Sequence, residues 1–392
     1  MFVCCRLQPI LSVHITGLIV GLIADGSAID QLAYRKSLEA RAPASIKALA
    51  NDLACYASFC WRVRGAGLPA SEARIVAYLE DCEARHLAPA TVGRRVATMA
   101  VVHGLLGVPS PTLAPVVRDT LRGFRRRVDV RQRQAGPLRL GEGIGIAAVK
   151  GFTLTALLEA CSGSVMGLRD AALLSLGYDA GLRVSELVAI DCGHIKPIED
   201  GAGVLVVARS KTDQEGRGAQ AWLSPDTMRR IAAWRAEAGI SDGPLFRRVA
   251  ATRTKAREAR RAVRITELAW NARVDHERMA ARPERLASVA YTIGEEPLTP
   301  AAVRLIIKRR ARQAAEEGLV ALFGKELDAA IAALSTHSLR VGLTQDLFAN
   351  GEDAGPIAQA LRWTSTATAL RYGRKLAPAS NATARMLRNV RG

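Results

Sequence analysis

A short polar segment, residues 131–137, divides the chain into two stretches of different character. Its sequence, Arg-Gln-Arg-Gln-Ala-Gly-Pro, combines charged and amide side chains with a Gly-Pro pair, which is typical of a linker. Before it, apolar residues recur at helical spacing, and after it, helical patterns surround a strand pattern. The 392 residues suffice for two or three domains. We therefore predict a helical domain over residues 44–133 and a second domain over residues 134–392.

The stretch before the linker has the pattern of a compact bundle of four or five helices. Apolar residues between Ile46 and Cys60 fall at three- and four-residue steps and form one face. Three later helices each open with a capping residue or an early proline, at Ser71, Pro89 and Pro115. These helices are predicted at residues 71–86, 90–106 and 115–128.

The stretch after the linker mixes helices with one clear strand. Residues 203–209 are rich in β-branched side chains, a polar turn follows, and residues 219–223 can return as the partner strand. This hairpin would carry Lys211 near its tip. Residues 246–286 are dense in Arg, Lys and Ala, and we predict them to be mostly helical and largely exposed, either as an extra helix that contacts DNA or protein or as a solvated insertion. Further helices are predicted at residues 155–161, 168–180, 183–190 and 226–238, so the predicted fold class is mainly α with a small β-sheet.

The first 43 residues form an apolar extension that differs from the rest of the chain. Residues 11–24 are an apolar run of signal-peptide size with only Arg6 ahead of it, shorter than the roughly 20 residues that a membrane span needs. A secretory segment, an amphipathic or β-prone extension, and a start codon assigned too far upstream are the alternatives. We favour the last, because the sequence after Ile29 looks like a complete cytoplasmic protein, and we assign residues 1–43 no role.

Charge and cysteine content limit the expected partners. Lys and Arg number 55 against 37 Asp and Glu, which gives a formal net charge of +18. Polyanions are therefore the expected partners, nucleic acid first and an acidic membrane surface second. Seven cysteines occur without a CxxC pair or a histidine at zinc-finger spacing, so neither a disulfide framework nor a zinc site is indicated.

Six arginines concentrate just before and within the linker. The run contains a single acidic residue, Asp129. A run of this kind is usually a solvated helix face, but its position at a domain hinge favours contact with a nucleic-acid backbone. The predicted DNA-binding residues are Arg122, Arg125, Arg126, Arg127, Arg131 and Arg133.

Four short stretches carry residues suited to phosphate chemistry, and each is weak evidence alone. Arg183 and Glu186 are three apart on a predicted helix, where a carboxylate can orient a guanidinium, although such a pair is most often a surface ion pair. Lys211 lies in a turn, where lysines are nearly always solvated. His337 and Arg340 form a His-x-x-Arg spacing that is common by chance.

The fourth stretch contains Trp363 and, nine residues later, Tyr372. A Trp on an apolar helix face is usually part of a core. Tyr372 lies between Arg371 and Arg374, and two cations beside a phenol favour its phenolate and attract a phosphate. In this order and at these spacings, the four stretches together form a specific pattern.

The pattern resembles the signature of the tyrosine recombinase (phage integrase) family: Arg, Lys, His-x-x-Arg, His or Trp, and a C-terminal Tyr. The resemblance covers roughly Ser45 to Gly392, and Trp363 stands where His is commoner. It implies a helical, SAM-like core-binding domain and a mixed α/β catalytic domain that clamp double-stranded DNA. It also implies site-specific recombination, for integration, excision or resolution, by a homo-tetramer on two synapsed sites, in the cytoplasm at the nucleoid.

The resemblance implies a role for each residue of the pattern. Tyr372 is the expected nucleophile, which forms a covalent 3′-phosphotyrosine. Arg183 and Arg340 are expected to hold the non-bridging oxygens of the scissile phosphate. The remaining expected roles are protonation of the departing 5′ oxygen by Lys211, help with proton transfer by His337, an indole N–H bond to the phosphate from Trp363, and support of Arg183 by Glu186.

Phosphodiester chemistry explains why this set needs no metal or nucleotide. Attack adds negative charge to the phosphate oxygens, and guanidinium groups can stabilise that charge without a metal. A phosphotyrosine keeps the energy of the broken bond for religation, so ATP is not required. The sequence has no P-loop and no acidic metal cluster, and we expect no cofactor. The alternatives are a type IB topoisomerase, a non-catalytic DNA-binding relative and a membrane-associated basic protein.

Overall fold

The computed structural model describes residues 13–23, 28–65, 67–128, 134–141, 151–207, 218–373 and 386–387. The chain divides into two compact units, Met1–Arg133 and Gln134–Gly392. The described part is mainly helical with two small antiparallel sheets, which confirms the predicted fold class. None of the described helices has the length and apolar character that crossing a bilayer requires.

Helices build the described part of the first unit, and their starts follow the sequence signals. The Ser71 hydroxyl accepts the backbone N–H of Arg74 at 3.2 Å and caps its helix. Pro89 and Pro115 each occupy the first turn of a helix, where the missing N–H costs no hydrogen bond. The helices are α1 (residues 13–20), α2 (Gln31–Glu39), α3 (Pro43–Val63), α4 (Glu72–Ala84), α5 (Pro89–Leu105) and α6 (Pro115–Arg127).

The apolar run near the N-terminus is part of the core of this unit, which the sequence analysis did not predict. Ile15 and Ile19 lie one turn apart on α1, and both are fully buried. The carbonyl of Leu22 accepts the N–H of Leu68 at 2.8 Å, which ties the end of the run to the loop before α4. The described part of the run therefore forms an amphipathic helix in the core, which is one of the alternatives given for it above.

The second unit is built around one enclosed helix. Its described helices are α7 (Leu154–Glu159), α8 (Val165–Asp179), α9 (Val184–Val188), α10 (Pro225–Ala238), α11 (His276–Met279), α12 (Pro300–Glu316), α13 (Gly324–Ala333), α14 (Ser338–Ala349), α15 (Ala354–Ala360) and α16 (Thr366–Gly373). Helix α8 is buried on nearly all sides, with α7, α10 and α14 packed around it, as expected of a helix without a polar face.

A three-stranded antiparallel sheet lies beside these helices. It consists of β1 (Ile195–Pro197), β2 (Gly203–Val207) and β3 (Ala219–Leu223), in that order. The pairing of β2 with β3 is the predicted hairpin, and β1 is a strand that the sequence analysis missed. The turn between β2 and β3, including Lys211, lies outside the described residues.

Buried polar contacts hold α14, which carries Arg340, against α8. Asp346 on α14 accepts hydrogen bonds from the hydroxyl of Tyr178 and from Nε of Arg139. Burial raises the pKa of Tyr178, so its phenol remains the proton donor in this pair. Gly342 allows close backbone approach, since a Cβ there would lie 1.8 Å from the carbonyl oxygen of Leu138. These contacts therefore fix the position of α14 relative to the centre of the unit.

Helices α15 and α16 rest on a small cluster of their own. Ile357, Leu361 and Ala369 are fully buried and form this cluster, apart from the main core of the unit. Phe348 and Trp363, both partly buried, pack against it. Helix α16 is thus held mainly by α14 and α15.

The prediction of helix over residues 246–286 is wrong. The strands β4 (Arg247–Thr254) and β5 (Ser288–Pro297) pair antiparallel. Arginine and alanine favour helix in isolation, but tertiary contacts routinely override this propensity. Here Val249 and Ile293 pack on the main core from neighbouring strands. The ribbon continues past these strands through two isolated bridges, Arg257 to Arg285 and Arg260 to Arg282.

The predicted exposure of this segment is confirmed. No described residue between Ala250 and Ala290 is buried. We call residues 250–290 the arm.

Candidate active site

Predicted site residues from four places in the second unit come together. They lie at the start of α9, at the start of α14, in the loop after α15 and on α16. Lys211 is the predicted residue of this unit that falls outside the described part of the chain. The residues brought together are Arg183, Glu186, His337, Arg340, Trp363 and Tyr372.

Tyr372 lies between an imidazole and an indole. Its hydroxyl shares a hydrogen bond of 2.7 Å with Nε2 of His337. Its ring stacks on Trp363, with ring centroids 5.3 Å apart and an angle of 7° between the planes. Stacking over this area restrains the ring and so the direction of its hydroxyl. The phenol is therefore held in hydrogen-bond contact with an imidazole nitrogen.

His337 is arranged to accept a proton. Burial lowers its pKa below the ordinary value of 6.5, and the charges of Arg340 and Arg183 lower it further. The imidazole is therefore neutral at pH 7, and an unprotonated Nε2 can accept the proton of the Tyr372 hydroxyl. His337 also directly precedes the first residue of α14, so the start of that helix fixes its backbone position.

Arg340 is held by backbone carbonyls in a nearly closed environment, with 1% of the residue exposed. Its Nη1 donates to the carbonyl of Gly181 at 2.6 Å, and its Nη2 donates to the carbonyl of Leu361. The guanidinium carbon lies 4.9 Å from the ring centroid of Trp363, within cation–π range. Burial and two neighbouring arginines lower its pKa to about 9. The group remains charged at pH 7, in surroundings that a bound anion would make more favourable.

Glu186 holds Arg183 from within α9. The backbone N–H of Arg183 donates to Oε2 of Glu186 at 2.9 Å, and Nη1 donates to Oε1 at 2.8 Å. Because Arg183 directly precedes the first residue of α9, the same carboxylate caps the start of this helix. The Arg183 side chain is 22% exposed, whereas that of Glu186 is 2% exposed. Arg183 can therefore contact a ligand while Glu186 supports it from the interior.

The site contains a third arginine, Arg362, to which the sequence analysis gave no role. Its φ is +55°, in the left-handed region that residues other than glycine rarely adopt. Its Nη2 donates to the carbonyl of Ala180 at 3.0 Å and lies 3.5 Å from Oε2 of Glu186. The only signal in the sequence was weak: a cation directly before Trp363. The backbone conformation that turns this side chain inward leaves no periodic pattern that sequence analysis could detect.

Positive charge exceeds negative charge in this cluster. Arg183, Arg340 and Arg362 surround the carboxylate of Glu186, and the neutral imidazole of His337 does not change the balance. Within this cluster, three buried guanidinium nitrogens have no hydrogen-bond partner among the described residues: Nε of Arg340 and both Nε and Nη1 of Arg362. Such orphaned donors are rare in folded proteins. The cluster is a preorganised anion site beside a phenol and a base, as attack on a phosphodiester requires.

Metal ligands are a separate question from this arginine cluster. The described residues contain no group of three or more His, Cys, Asp or Glu placed to hold a metal ion.

A comparison with protein families agrees with this arrangement. The model of the Phage integrase family matches residues 149–377, more than half of the chain. The chain belongs to this family. The resemblance seen in the sequence is thereby confirmed, and every residue of the cluster lies inside the matched region.

Two curated proteins that this chain is similar to are named as recombinases. An integrase/recombinase XerD homolog of Selenomonas ruminantium is 31% identical over 224 residues, which are 55% of this chain and 62% of the relative. Recombinase Cre of Escherichia phage P1 is 23% identical over 347 residues, which are 87% of each chain. The match to the XerD homolog thus spans less than two thirds of that protein, whereas the match to Cre is nearly end to end.

Solved structures show the same fold. The XerH site-specific recombinase bound to palindromic difH substrate, in a post-cleavage complex, gives a TM-score of 0.54 at 13% identity and covers 97% of this chain and 93% of that chain. The Tn1549 transposon integrase in complex with transposon right end DNA gives 0.52 at 11% identity and covers 97% of this chain and 99% of that chain. At these identities the likeness establishes the fold of this phage integrase family member.

The predicted DNA-binding arginines of the first unit differ in their surroundings. Arg127 forms two bonds of 2.7 Å to Glu83, and Arg122 pairs with an aspartate of its own helix. Arg125 and Arg126 are exposed in the last turn of α6. Arg131 and Arg133 lie outside the described residues. Their contact with DNA stays a prediction.

Proposed function

We propose that this protein is a site-specific DNA recombinase that cuts and rejoins duplex DNA through a covalent 3′-phosphotyrosine, without metal or ATP. The observation that carries the proposal is the position of the Tyr372 hydroxyl, 2.7 Å from a neutral His337 and beside a cluster with excess guanidinium charge. Membership of the phage integrase family and two relatives named as recombinases support this reaction class.

The first step is attack of Tyr372 on the scissile phosphorus. The hydroxyl proton passes to Nε2 of His337 while the new P–Oη bond forms and the bond to the 5′ oxygen breaks. The departing 5′ oxygen takes a proton from a general acid, a role that we give to Lys211 between β2 and β3. The 3′ phosphate is then joined to the tyrosine, and the 5′ end is a free hydroxyl.

The arginines stabilise the charge that develops during this attack. Negative charge on the non-bridging oxygens grows toward the transition state, and Arg183 and Arg340 are the donors that we assign to them. Arg362 adds a third positive charge beside them. Because the carbonyls of Gly181 and Leu361 already hold Arg340, little reorganisation accompanies the reaction. In this scheme Trp363 offers its indole N–H to the phosphate while its ring restrains Tyr372.

Reversal of the step by another 5′ hydroxyl completes strand exchange. Attack of that hydroxyl on the phosphotyrosine releases Tyr372 and forms a phosphodiester in a new combination, so no external energy is needed. Two successive exchanges recombine two duplexes. We assign this work to a homo-tetramer on two synapsed sites, in which each protomer contributes one Tyr372. It acts on DNA at the nucleoid in the cytoplasm.

Charge supports double-stranded DNA as the substrate. A net charge of +18 favours association with a polyanion. The solved XerH and Tn1549 integrase structures are complexes with DNA. In this proposal both units of the chain contact the duplex, the first through residues that include the exposed Arg125 and Arg126.

The decisive test is a protein–DNA adduct that survives detergent. The substrates are duplexes that carry inverted repeats from the gene's neighbourhood and a nick close to the cleavage position. The short fragment with the released 5′ hydroxyl then diffuses away, so that religation cannot occur and the adduct accumulates. Parent protein should form the adduct, and Tyr372→Phe should form none. Tyr291→Phe, which removes the hydroxyl of a half-buried tyrosine on β5, is the matched control and should retain it. An adduct in Tyr372→Phe, or none with the parent on any duplex, rejects the proposal.

A relaxation assay separates recombination from topoisomerase-like action. We expect supercoiled plasmid without a target site to remain supercoiled, and plasmid with two sites to yield recombinant circles. Efficient relaxation of any plasmid would favour a type IB topoisomerase. Tight DNA binding without cleavage would favour a non-catalytic relative.

A further inference from the structure

The arm is an ordered two-stranded ribbon that extends well beyond its anchored base. Strand pairing runs to Thr254 opposite Ser288. Past that point, the residues of each isolated bridge exchange both of their backbone hydrogen bonds. The N–H···O distances are 2.8 and 2.8 Å between Arg257 and Arg285, and 2.9 and 2.8 Å between Arg260 and Arg282.

The base of the arm is anchored in the second unit. Val249 is buried, and Tyr291 and Ile293 pack on the main core from the opposite strand. Arg169, at the start of α8, donates from Nη1 to the carbonyl of Arg247 at 3.3 Å. The ribbon therefore leaves the unit from a fixed position on the same core that holds the catalytic cluster.

Nothing in the described chain covers the arm itself. Apolar side chains along it face solvent, among them Ile265 at 64%, Leu286 at 75% and Trp270 at 98% exposure. A two-stranded ribbon without a core of its own is at best marginally stable in water. An extended, ordered surface with so little internal packing indicates an external partner.

The charge of the arm identifies the kind of partner. Residues 250–290 contain ten Lys and Arg against five Asp and Glu. The two isolated bridges place arginine directly opposite arginine, about 5.5 Å apart between Cα atoms in a pair that exchanges both bonds. Like charges in opposite positions destabilise a ribbon. An anion bound across the strands removes this repulsion.

We propose that the arm is a second DNA-contacting element, which lays its paired arginines against the phosphate backbone of the duplex away from the scissile phosphate. Duplex DNA carries one negative charge for about every 1.7 Å of its axis, so its phosphates are dense enough for an extended basic ribbon to contact several of them. The major groove also admits a two-stranded β-ribbon. The inference rests on the proposed function for its choice of DNA as the polyanion.

Two variants test the arm without touching the cluster. The first replaces Arg257, Arg260, Arg282 and Arg285 by Gln. The second removes residues 255–287 and joins Thr254 to Ser288 through Asn-Gly, a sequence that forms tight hairpin turns. The second design keeps the paired strands β4 and β5 and their packing on the core. The matched control replaces four exposed cations elsewhere in the second unit by Gln, at Lys196, Arg229, Arg304 and Arg312.

The measurement is the dissociation constant for a fluorescent duplex over a range of salt concentrations. The slope of log affinity against log salt falls by about 0.9 for each phosphate that the protein no longer binds. We expect the four-arginine variant to lower the slope by about 2 to 4 and to weaken binding at least tenfold. The shortened arm should do the same, and the control should change the slope by less than about 0.9. Slopes equal to that of the parent would overturn the proposal.

Adduct formation at saturating protein, measured on the same variants, separates this inference from the proposed function. If the parent forms the Tyr372 adduct and both arm variants bind like the parent, the arm proposal fails and the recombinase proposal stands. If no adduct forms on any duplex but the arm variants still lower the salt slope, the recombinase proposal fails and the arm proposal stands. If the arm variants bind DNA normally as single protomers but no longer assemble, a second copy of the chain is the partner and the DNA proposal is overturned.

Discussion

The cluster around Tyr372 and the arm are both rich in arginine, and they hold that charge in opposite ways. In the cluster, Arg340 is nearly closed off from solvent and donates to two backbone carbonyls. The carboxylate of Glu186 forms ion pairs with the neighbouring Arg183 and Arg362. In the arm, arginines stand opposite each other on an exposed ribbon. Burial makes positive charge strong and fixed in direction, so it suits one phosphate. Exposure makes it weak and screened by salt, so it suits many phosphates.

The largest expected effect concerns Arg340, the buried arginine of the cluster. Arg340→Lys keeps the charge but loses the planar group that donates to both Gly181 and Leu361. We expect the rate of adduct formation at saturating protein to fall by about 10²- to 10³-fold, as for loss of one preorganised donor. The loss should be nearly independent of salt, because the site excludes it. A defect that shrinks markedly at low salt would place Arg340 with the arm.

The second effect concerns Arg362. Glycine accepts the left-handed backbone without strain, so Arg362→Gly removes the guanidinium while leaving the loop able to fold. We expect adduct formation to slow by about tenfold to 100-fold, somewhat less than for a direct donor, with an unchanged or higher melting temperature. Arg362→Ala removes the same charge but keeps the backbone strain. Its adduct formation should slow to a similar degree, and its melting temperature should be lower than that of Arg362→Gly. Parent-like rates in both variants would reduce Arg362 to a structural residue.

The third effect is a pH dependence that the cluster should have and the arm should not. The pKa of His337 is lowered by burial and by Arg340 and Arg183. Cleavage should therefore be level from pH 8 to below 6.5 and decline only where His337 becomes protonated, by about tenfold per pH unit at the limit. His337→Gln should be slow and level over this range. A decline that begins at or above pH 6.5 would contradict the proposed role.

The same pKa predicts a change in stability. Because the folded pKa of His337 lies below that of the unfolded chain, the unfolded state binds more protons in the acid range. The free energy of unfolding should fall as the pH drops through about 6.5 toward the folded pKa, and His337→Gln should remove this part of the dependence. Urea titrations at several pH values measure it.

The smallest expected effect separates exposed from buried packing. Trp270 on the arm is 98% exposed, whereas Trp234 on α10 is fully buried and donates from Nε1 to the carbonyl of Leu245 at 2.8 Å. Trp270→Ala should change the free energy of unfolding by no more than about 0.5 kcal/mol. Trp234→Ala should cost about 3 to 5 kcal/mol. A large loss in Trp270→Ala would mean that the arm has a core after all.

Local patterns in the sequence were enough for the parts of the fold that depend on near neighbours. The capping Ser71 and the prolines of α5 and α6 mark helix starts, and the β-branched run in β2 marks a strand, because each signal acts within a few residues. The i, i+3 spacing of Arg183 and Glu186 likewise predicted that the two side chains would meet.

What the sequence did not predict depends on distant partners. The arm contains good helix formers, and it is a ribbon because residues near 250 pair with residues near 292. Helix α1 looked dispensable because the core that covers Ile15 and Ile19 comes from helices later in the chain. Arg362 was passed over because its backbone turn is invisible to periodicity.

The small cluster of Ile357, Leu361 and Ala369 influences how often helix α16, which carries Tyr372, separates from the rest of the unit. Segments with little packing open at a lower free energy than the whole domain, so α15 and α16 can detach and return while the main core stays intact. Amide hydrogens in α16 should accordingly exchange with solvent faster than those of α8. The fraction of time that Tyr372 spends beside His337 should then depend on the packing of this small cluster as well as on the stability of the whole unit.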